Sequence, residues 1–237
     1  MTRHTLAAAL ILPTLVACES VESESVLTSG VYADLHAVSN GDATRATATL
    51  RTGGATSNTF LQLTGDDNLS VSVDGGEAEK MNEQNLGDIY SYTADFDAVN
   101  AGAEYVFAFN RLVDEGAPSS VAVLPEPFSV TEPAEDAVIS RGAEAITVSW
   151  DGGTDDAMLV KVSADCIYDH EVVVEGDPGT IVIEAGTLES PDGSADQACD
   201  ATVTVSRRRT GSLDAGYGEG GLIYGAQDRG VKIRIDP

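Results

Sequence analysis

Short segments in which apolar and polar residues alternate run through almost the whole chain. Residues 31–37 and 46–50 show this period of two, and the turn Asn40-Gly41-Asp42 separates them. Successive side chains of a strand point to opposite faces, so the alternation predicts an antiparallel pair with one face buried and one exposed. Such a pair is stable only when a second layer covers its apolar face.

Further segments of the same kind follow, separated by turns that are rich in Gly, Asp and Asn. They lie at residues 60–64, 69–73, 90–94, 105–109 and 121–124, and then at 146–150, 158–162, 172–174, 181–183, 203–205, 222–224 and 231–235. About seven short strands in about 100 residues are typical of an antiparallel β-sandwich. The sequence therefore predicts an all-β fold with two tandem antiparallel β-sandwiches.

A proline-rich stretch divides the two sets of strands. Pro125, Pro127 and Pro133 lie between them, and proline both removes a ladder donor and fixes φ. We therefore predict β-sandwich domains at residues 26–127 and 128–237. Residues 18–25 are rich in Glu and Ser and are predicted to be a disordered tether, which reaches about 25 Å at full extension.

The chain is strongly acidic. Of its 237 residues, 39 are Asp or Glu and 13 are Lys or Arg, which gives a formal net charge of -26. A field of this sign repels nucleic acid and anionic lipid, so we expect no nucleic-acid partner. Because the acidic residues are spread over both halves, the charge indicates a property of the whole surface and says little about a site.

The N-terminus has the three-part layout of an export signal. Arg3 supplies a positive charge, residues 6–17 are apolar, and the small residue Ala17 precedes Cys18. A run of this length is too short to span the roughly 30 Å of hydrocarbon in a bilayer. Residues 1–17 are therefore predicted to be a signal peptide that is removed.

The segment Leu15-Val16-Ala17-Cys18 resembles the bacterial lipobox. The resemblance implies that Cys18 becomes the first residue of the mature chain and receives diacylglyceryl and acyl (palmitate) groups, which would anchor the protein in a membrane of the cell envelope. In this family an Asp after the cysteine causes retention in the inner membrane. The residue here is Glu19, which favours the outer membrane, at its periplasmic or surface face. The alternative is an ordinary secretory signal with a chance cysteine.

Residues 146–150, Ile-Thr-Val-Ser-Trp, resemble a strand of fibronectin type III and immunoglobulin-like modules. A polar loop follows at 151–156, and Leu188 and Pro191 precede a later strand, as in that family. The tyrosine that opens the late strand in the family is absent, and Cys199 lies in its region. The resemblance implies that the two tandem sandwiches are Ig-like, and that the third and sixth strands of such a sandwich are antiparallel neighbours.

This topology brings the two remaining cysteines together. Once Cys18 is lipidated, Cys166 at the end of the third strand and Cys199 at the start of the sixth are the thiols that remain. In an oxidising compartment they are predicted to form a disulfide. The alternative, a catalytic redox pair, lacks the CxxC spacing.

Residues suited to catalysis or metal binding are few. His36 is predicted to be exposed on the polar face of its strand, and His170 has no serine in a nucleophile-elbow context beside it. The sequence therefore predicts no catalytic residue, no cofactor and no enzymatic activity. Acidic clusters at 66–67, 74–79 and 151–156 suggest calcium, since hard cations bind carboxylates. Solvated turns are the alternative, because none of the clusters has EF-hand spacing.

Three basic residues of the second domain are predicted to share an outer face. Arg208 follows the strand at 203–205, and Lys232 and Arg234 point away from the apolar residues of the last strand. If these strands pair, the three side chains form a basic patch for an acidic protein or a polysaccharide. The alternative is that they neutralise nearby carboxylates or bind the first domain.

The function predicted from these features is a non-enzymatic, lipid-anchored envelope protein with a binding, adhesion or accessory role. Its expected partners are the membrane, through Cys18, and an envelope protein or polysaccharide. The alternative is a carbohydrate-binding or hydrolytic protein that uses calcium at the acidic loops.

Overall fold

The structure is a computed structural model that describes residues 18–237, so the predicted signal peptide lies outside the described residues. Ten strands precede Pro125: β1 (Glu19–Glu22), β2 (Val31–Ser39), β3 (Thr44–Thr52), β4 (Thr59–Gln62), β5 (Asn68–Val73), β6 (Glu79–Lys80), β7 (Asn82–Leu86), β8 (Ile89–Phe96), β9 (Glu104–Asn110) and β10 (Ala117–Val123). Eight follow Pro127: β11 (Val130–Glu132), β12 (Ala137–Ser140), β13 (Ile146–Trp150), β14 (Ala157–Ala164), β15 (His170–Val174), β16 (Thr180–Ile183), β17 (Cys199–Thr210) and β18 (Gly221–Asp236).

The prediction of an all-β fold is confirmed. Apart from strands and loops, the described residues contain two short 3-10 turns, at Ser23–Ser25 and Thr28–Gly30. No helix in residues 18–237 has the length and apolar character needed to cross a bilayer.

The two halves of the chain repeat one strand order. In the first sandwich, β2, β3 and β8 form one layer and β10, β9, β5 and β6 form the other. In the second, β11, β13 and β16 face β18, β17, β14 and β15. In both cases one layer consists of two early strands and one later strand, and the other layer contains the last two strands of the sandwich next to two middle strands. This is an immunoglobulin-like arrangement.

One large sheet runs through both sandwiches. The antiparallel ladder of β17 and β18 extends from Cys199 opposite Ile235 to Thr210 opposite Tyr224. The first half of β18 also pairs in parallel with β2, from Gly221 opposite Ala33 onward. The resulting sheet has eleven strands. We call it the large sheet, and the β17–β18 hairpin is the part that connects the two halves.

Each sandwich buries its own apolar core. The first core is built mainly from residues 31–124 and the second from residues 128–235. Tyr217 and Ile223, which belong to the stretch predicted as the second domain, are buried in the first core. The hairpin is therefore a packing element of both sandwiches. The exact domain bounds stay a prediction.

The predicted disordered tether was wrong for residues 19–25. β1 pairs in parallel with β4, with Glu19 opposite Thr59. Ser23 is fully buried, and its hydroxyl accepts a hydrogen bond from the backbone N–H of Thr64 at 3.0 Å. The acidic composition suggested disorder, but backbone pairing with β4 overrides it, and no flexible spacer separates Cys18 from the first sandwich.

Strand directions define two ends of the first sandwich. β2 and β18 both start at the end away from the second sandwich, because β18 continues into it. β3 is antiparallel to β2 and finishes at that same end, with Thr52 opposite Val31. β4 and β1 begin there, since Thr59 lies opposite both Thr52 and Glu19. Cys18, immediately before β1, therefore lies at what we call the distal end.

Candidate binding site

The outer face of the large sheet carries a group of polar side chains where β2 meets β18. Along β2 buried and partly exposed residues alternate, with Leu35 and Ala37 fully buried. His36 and Val38 therefore face outward. In the β2–β18 ladder, His36 lies directly opposite Tyr224.

His36, Tyr224 and Arg208 form a row across three strands. The rings of His36 and Tyr224 stack with centroids 5.2 Å apart and planes at 8°. The guanidinium carbon of Arg208, on β17, lies 5.1 Å from the centroid of Tyr224, a cation–π contact. Burial raises the pKa of Tyr224, although the positive charge of Arg208 opposes this shift. The phenol therefore stays neutral at physiological pH.

A cleft of about 430 Å³ lies beside His36. We call it the junction cleft. It is lined by His36, Val38, Asn40, Ala43, Arg45, Thr47, Asp95 and Asp228. On its exposed side, Arg45 donates two hydrogen bonds to Asp95, at 2.7 and 3.1 Å. This hydrogen bonding raises the pKa of Arg45 and lowers that of Asp95, so both groups are charged at neutral pH.

Two polar atoms of the cleft residues have no hydrogen-bond partner within the described part of the chain. They are Nδ1 of His36 and Oδ1 of Asp228. Nδ1 of His36 lies 3.7 Å from Oδ1 of Asp34, too far for a hydrogen bond. Burial raises the pKa of Asp228, although the hydroxyl of Ser206 and the charges of Arg208 and Arg229 oppose the shift. Buried polar atoms usually have a partner, so these two enclosed atoms in the wall of the cleft mark where the protein leaves hydrogen-bonding capacity unused.

The chemistry of the cleft suits recognition of a polar ligand. Its walls contain one carboxylate oxygen and one ring nitrogen without hydrogen-bond partners, an exposed ion pair and the side chain of Thr47. Pockets with a few convergent polar groups of this kind fix the orientation of a ligand. Within residues 18–237, no three or more His, Cys, Asp or Glu side chains are grouped so that they could hold a metal ion.

The predicted disulfide is confirmed. Cys166 and Cys199 are bonded, with Cα atoms 5.9 Å apart. β14 and β17 are antiparallel neighbours, with Ala164 opposite Ala201, so the bond connects the ends of two strands of one sheet. Cys18 is the free cysteine of the described residues and is partly exposed.

The structure does not bring all three residues of the predicted basic patch together. Arg208 lies opposite Ala226, whereas Lys232 and Arg234 lie opposite Thr202 and Asp200. Arg208 is therefore separated from Lys232 by six positions of β18, or roughly 20 Å at about 3.3 Å per residue.

The basic residues near the end of β18 have acidic neighbours. Arg234 lies 3.4 Å from Asp200 and 3.5 Å from Asp236. The backbone N–H of Lys232 donates to the carboxylate of Glu135 at 3.2 Å. Arg208 instead belongs to the row beside the junction cleft.

Each of the three acidic clusters has at least one carboxylate that is engaged within the protein. Asp67 forms an ion pair with Arg111 at 3.1 Å, and Asp156 forms one with Arg209 at 2.8 Å. The carboxylate of Asp74 accepts a hydrogen bond from the N–H of Glu104 at 2.8 Å. His170 lies at the start of β15, opposite Val162, outside the junction cleft.

Sequence reasoning missed the roles of Arg45, Tyr224 and Asp228. The pairing of β2 with β18 joins segments at opposite ends of the chain, and alternation along either strand carries no signal for it. His36 was identified, but as an isolated exposed residue. The run of three arginines at residues 207–209 was the available signal. It directly follows the apolar segment 203–205, and β17 continues through it to Thr210.

No family model and no curated protein matches this chain. Among solved structures, the crystal structure of the FN1–FN3 domains of chicken CNTN1 is similar, with 14% identity and a TM-score of 0.30 over 86% of this chain, which spans 63% of that chain. The crystal structure of Dpr11 IG1 bound to DIP-gamma IG+IG2 has 8% identity and a TM-score of 0.26, with 86% of this chain and 95% of that chain covered. Neither likeness is close enough to carry an argument. The immunoglobulin-like description rests on the strand order of the two sandwiches.

Proposed function

We propose that this protein is a non-enzymatic binding protein of the bacterial cell envelope, anchored by lipid on Cys18, and that it binds a hydroxyl-rich ligand such as an envelope oligosaccharide in the junction cleft. The observation that carries the proposal is the cleft itself. Two unpartnered polar atoms and an exposed ion pair converge there, next to the row of His36, Tyr224 and Arg208.

The connection between the sandwiches supports a binding role. The row uses side chains from both halves of the molecule, and the shared hairpin fixes their separation. A preorganised site loses less entropy when a ligand binds. Oligosaccharides offer hydroxyl groups that both donate and accept hydrogen bonds, which matches a cleft with the exposed Arg45–Asp95 ion pair and with unused hydrogen-bonding atoms in its wall.

The position of Cys18 supports the proposed anchor. Cys18 directly precedes β1 and is partly exposed, and the lipobox-like segment ends at this residue. Because Glu19, and not Asp, follows the cysteine, the proposed location is the outer membrane. The anchor is tested by intact mass of the protein purified from a bacterial membrane. The expected result is a chain that starts at Cys18 with added acyl mass, and Cys18→Ser should abolish both the added mass and membrane retention.

The binding role is tested on an array of bacterial cell-wall and surface oligosaccharides. His36→Ala and Arg45→Ala should abolish binding, because each removes a polar group of the cleft. Arg234→Ala is the matched control, since it removes an exposed, ion-paired arginine outside the cleft and should bind like the parent protein. Equal binding by all three variants would refute the assignment of the cleft, and no binding by the parent would refute the ligand class.

A further inference from the structure

Exposed aliphatic side chains gather at the distal end of the first sandwich. Of the ten large hydrophobic residues exposed in the described chain, five lie there. They are Leu27, Leu86, Ile89, Leu112 and Val113, and we call them the apolar end. Leu86 and Leu112 are 80% and 77% exposed. Most of the other five belong to the second sandwich and are distributed over β12, β15 and β16 and the loop at residue 168.

The β7–β8 hairpin brings Leu86 and Ile89 to the distal end. β8 is antiparallel to β3, with Phe96 opposite Thr44, so β8 starts where β3 finishes. Leu86 and Ile89 are opposite each other across the turn of the hairpin. The hydroxyl of Ser20 donates to the carboxylate of Asp88 in this turn at 3.2 Å. Ser20 is two residues from Cys18, a separation of about 7 Å in an extended chain, so this hydrogen bond places the turn near the cysteine.

Buried polar contacts fix the position of the other three residues. The guanidinium of Arg111, which is fully enclosed, donates to the carbonyl of Val26 at 2.8 Å. The backbone N–H of Thr28 donates to the carboxylate of Asp114 at 2.7 Å. Leu27 is therefore held beside the loop that contains Leu112 and Val113. Arg111 also donates to the carbonyl of Ser23 at 2.6 Å, which connects this loop to the segment after β1.

We infer that the apolar end is a membrane-contact surface that rests in the interfacial region of a phospholipid bilayer. This inference rests on the lipid anchor of the proposed function. A chain acylated at Cys18 with no flexible spacer before β1 brings the distal end to the bilayer surface. Exposed aliphatic groups there gain free energy by leaving water, at about 0.8 kcal/mol per buried CH₂. An orientation in which the apolar end faces away from the bilayer would leave these side chains in water.

The charges nearby select the kind of lipid. Glu19 and Asp88 are exposed beside Cys18 and Leu86, respectively, so an anionic surface would repel this end within a Debye length of about 8 Å at physiological salt. The apolar end therefore suits a zwitterionic leaflet. Its contact with lipid would orient the molecule so that the second sandwich and the junction cleft project away from the membrane.

The test uses full-length protein processed in a bacterium, purified in detergent and reconstituted in phosphatidylcholine vesicles. Leu86→Cys supplies one reactive thiol for an environment-sensitive fluorophore, because Cys166 and Cys199 are bonded and acylation blocks Cys18. Val173→Cys is the matched control, since Val173 is 76% exposed in the second sandwich. Phospholipid with a nitroxide near its headgroup is the quencher.

The inference requires a blue shift and strong quenching at position 86 and neither at position 173. Equal quenching at both positions, or none at position 86, would overturn it. Disulfide-linked dimers of unlabelled Leu86→Cys on the vesicles, without quenching of the labelled protein, would show that a second copy covers this surface instead. If the parent protein takes up the label, Cys18 is not acylated. In that case the anchor itself is wrong, and the inference falls with it.

Discussion

Arg207 and Asp177 form an ion pair of 3.0 Å whose side chains are 2% and 0% exposed. Arg207 also donates to the carbonyl of Glu126 at 3.0 Å, and its guanidinium carbon lies 4.7 Å from the centroid of the Phe128 ring. Glu126 and Phe128 belong to the segment that joins the sandwiches. One buried side chain of β17 therefore fixes the connection between the two halves.

Replacing Arg207 with Ala should lower the free energy of unfolding by about 3–5 kcal/mol, because the change leaves a buried carboxylate without its partner. Urea denaturation followed by circular dichroism at pH 7 measures the loss. Arg234→Ala is the matched control, since its ion pairs are exposed, and its effect should stay below about 1 kcal/mol. Similar losses in the two variants would contradict a special role for the buried pair.

Acid should weaken the same pair. Burial opposes ionisation of Asp177, but hydrogen bonds from Trp150 and Thr154 and the charge of Arg207 outweigh it, so the pKa of Asp177 lies below its usual value. A lowered folded-state pKa gives stability that is present above the unfolded pKa of about 3.9 and is lost as the pH falls through the folded value. The stability difference between the parent and Asp177→Asn should therefore shrink below pH 4 (roughly the unfolded value). A difference that is constant with pH would contradict the ion-pair interpretation.

The interior faces of the strands could be predicted from the sequence. Ala33, Leu35 and Ala37 alternate with polar residues in β2, and all three are fully buried. The likeness of residues 146–150 to an immunoglobulin-like strand predicted that β14 and β17 are neighbours. That pairing in turn predicted the disulfide between Cys166 and Cys199. These predictions work because a period of two and a familiar strand order are local or family-level signals.

The long hairpin could not be predicted in the same way. The apolar segments at 203–205, 222–224 and 231–235 suggested three short strands, whereas β17 has 12 residues and β18 has 16. Arg207 and Gln227 break the apolar pattern, yet both are buried. Charged side chains are rarely buried without a partner, and the partners of Arg207 lie far away in the sequence. The junction cleft is lined in part by Asp228 of this hairpin, so the cleft could not be predicted from the sequence either.

Asp228 should make stability fall as the pH rises from acid to neutral. Its folded-state pKa is raised, mainly by burial, so the folded protein binds this proton more tightly than the unfolded chain does. The favourable contribution is complete below the unfolded pKa of about 3.9 and is lost as the pH rises through the folded value. Asp228→Asn should therefore be more stable than the parent at neutral pH and should show no gain in strong acid. Denaturation midpoints at both extremes of pH measure this, and a gain of the same size at both would refute it.

Loss of the disulfide should destabilise the second sandwich. The bond between Cys166 and Cys199 spans a sequence separation of 33 residues, and a loop of this length corresponds to about 3–4 kcal/mol in the chain-entropy model. The double variant Cys166→Ser with Cys199→Ser should therefore unfold at lower urea. Cys18→Ser is the control, because Cys18 forms no disulfide and is partly exposed in the first sandwich, so its replacement should shift the transition much less than the double variant does. No difference between the double variant and the control would contradict the prediction.

Glycine at position 225 lets the hairpin lie directly on the first sandwich. A Cβ atom there would overlap the carbonyl oxygen of Val123 in β10. In the loop that connects β17 and β18, a Cβ atom at Gly218 would likewise overlap the carbonyl oxygen of Ser29. The backbone of the hairpin thus contacts the first sandwich closely at these two points, with no space for side chains there.

Gly225→Ala should lower the free energy of unfolding by about 1–3 kcal/mol, because the methyl group forces backbone atoms apart in a packed interface. Gly230→Ala is a matched control on the same strand, where the nearest atom to an added Cβ is the methyl of Thr202 at 3.5 Å, an ordinary contact distance. Thermal melts measure the difference in stability, and limited proteolysis of the 211–220 loop measures detachment of the hairpin. Gly225→Ala should be cleaved faster than the parent and the control. If both variants match the parent in both measurements, the hairpin does not depend on this close approach.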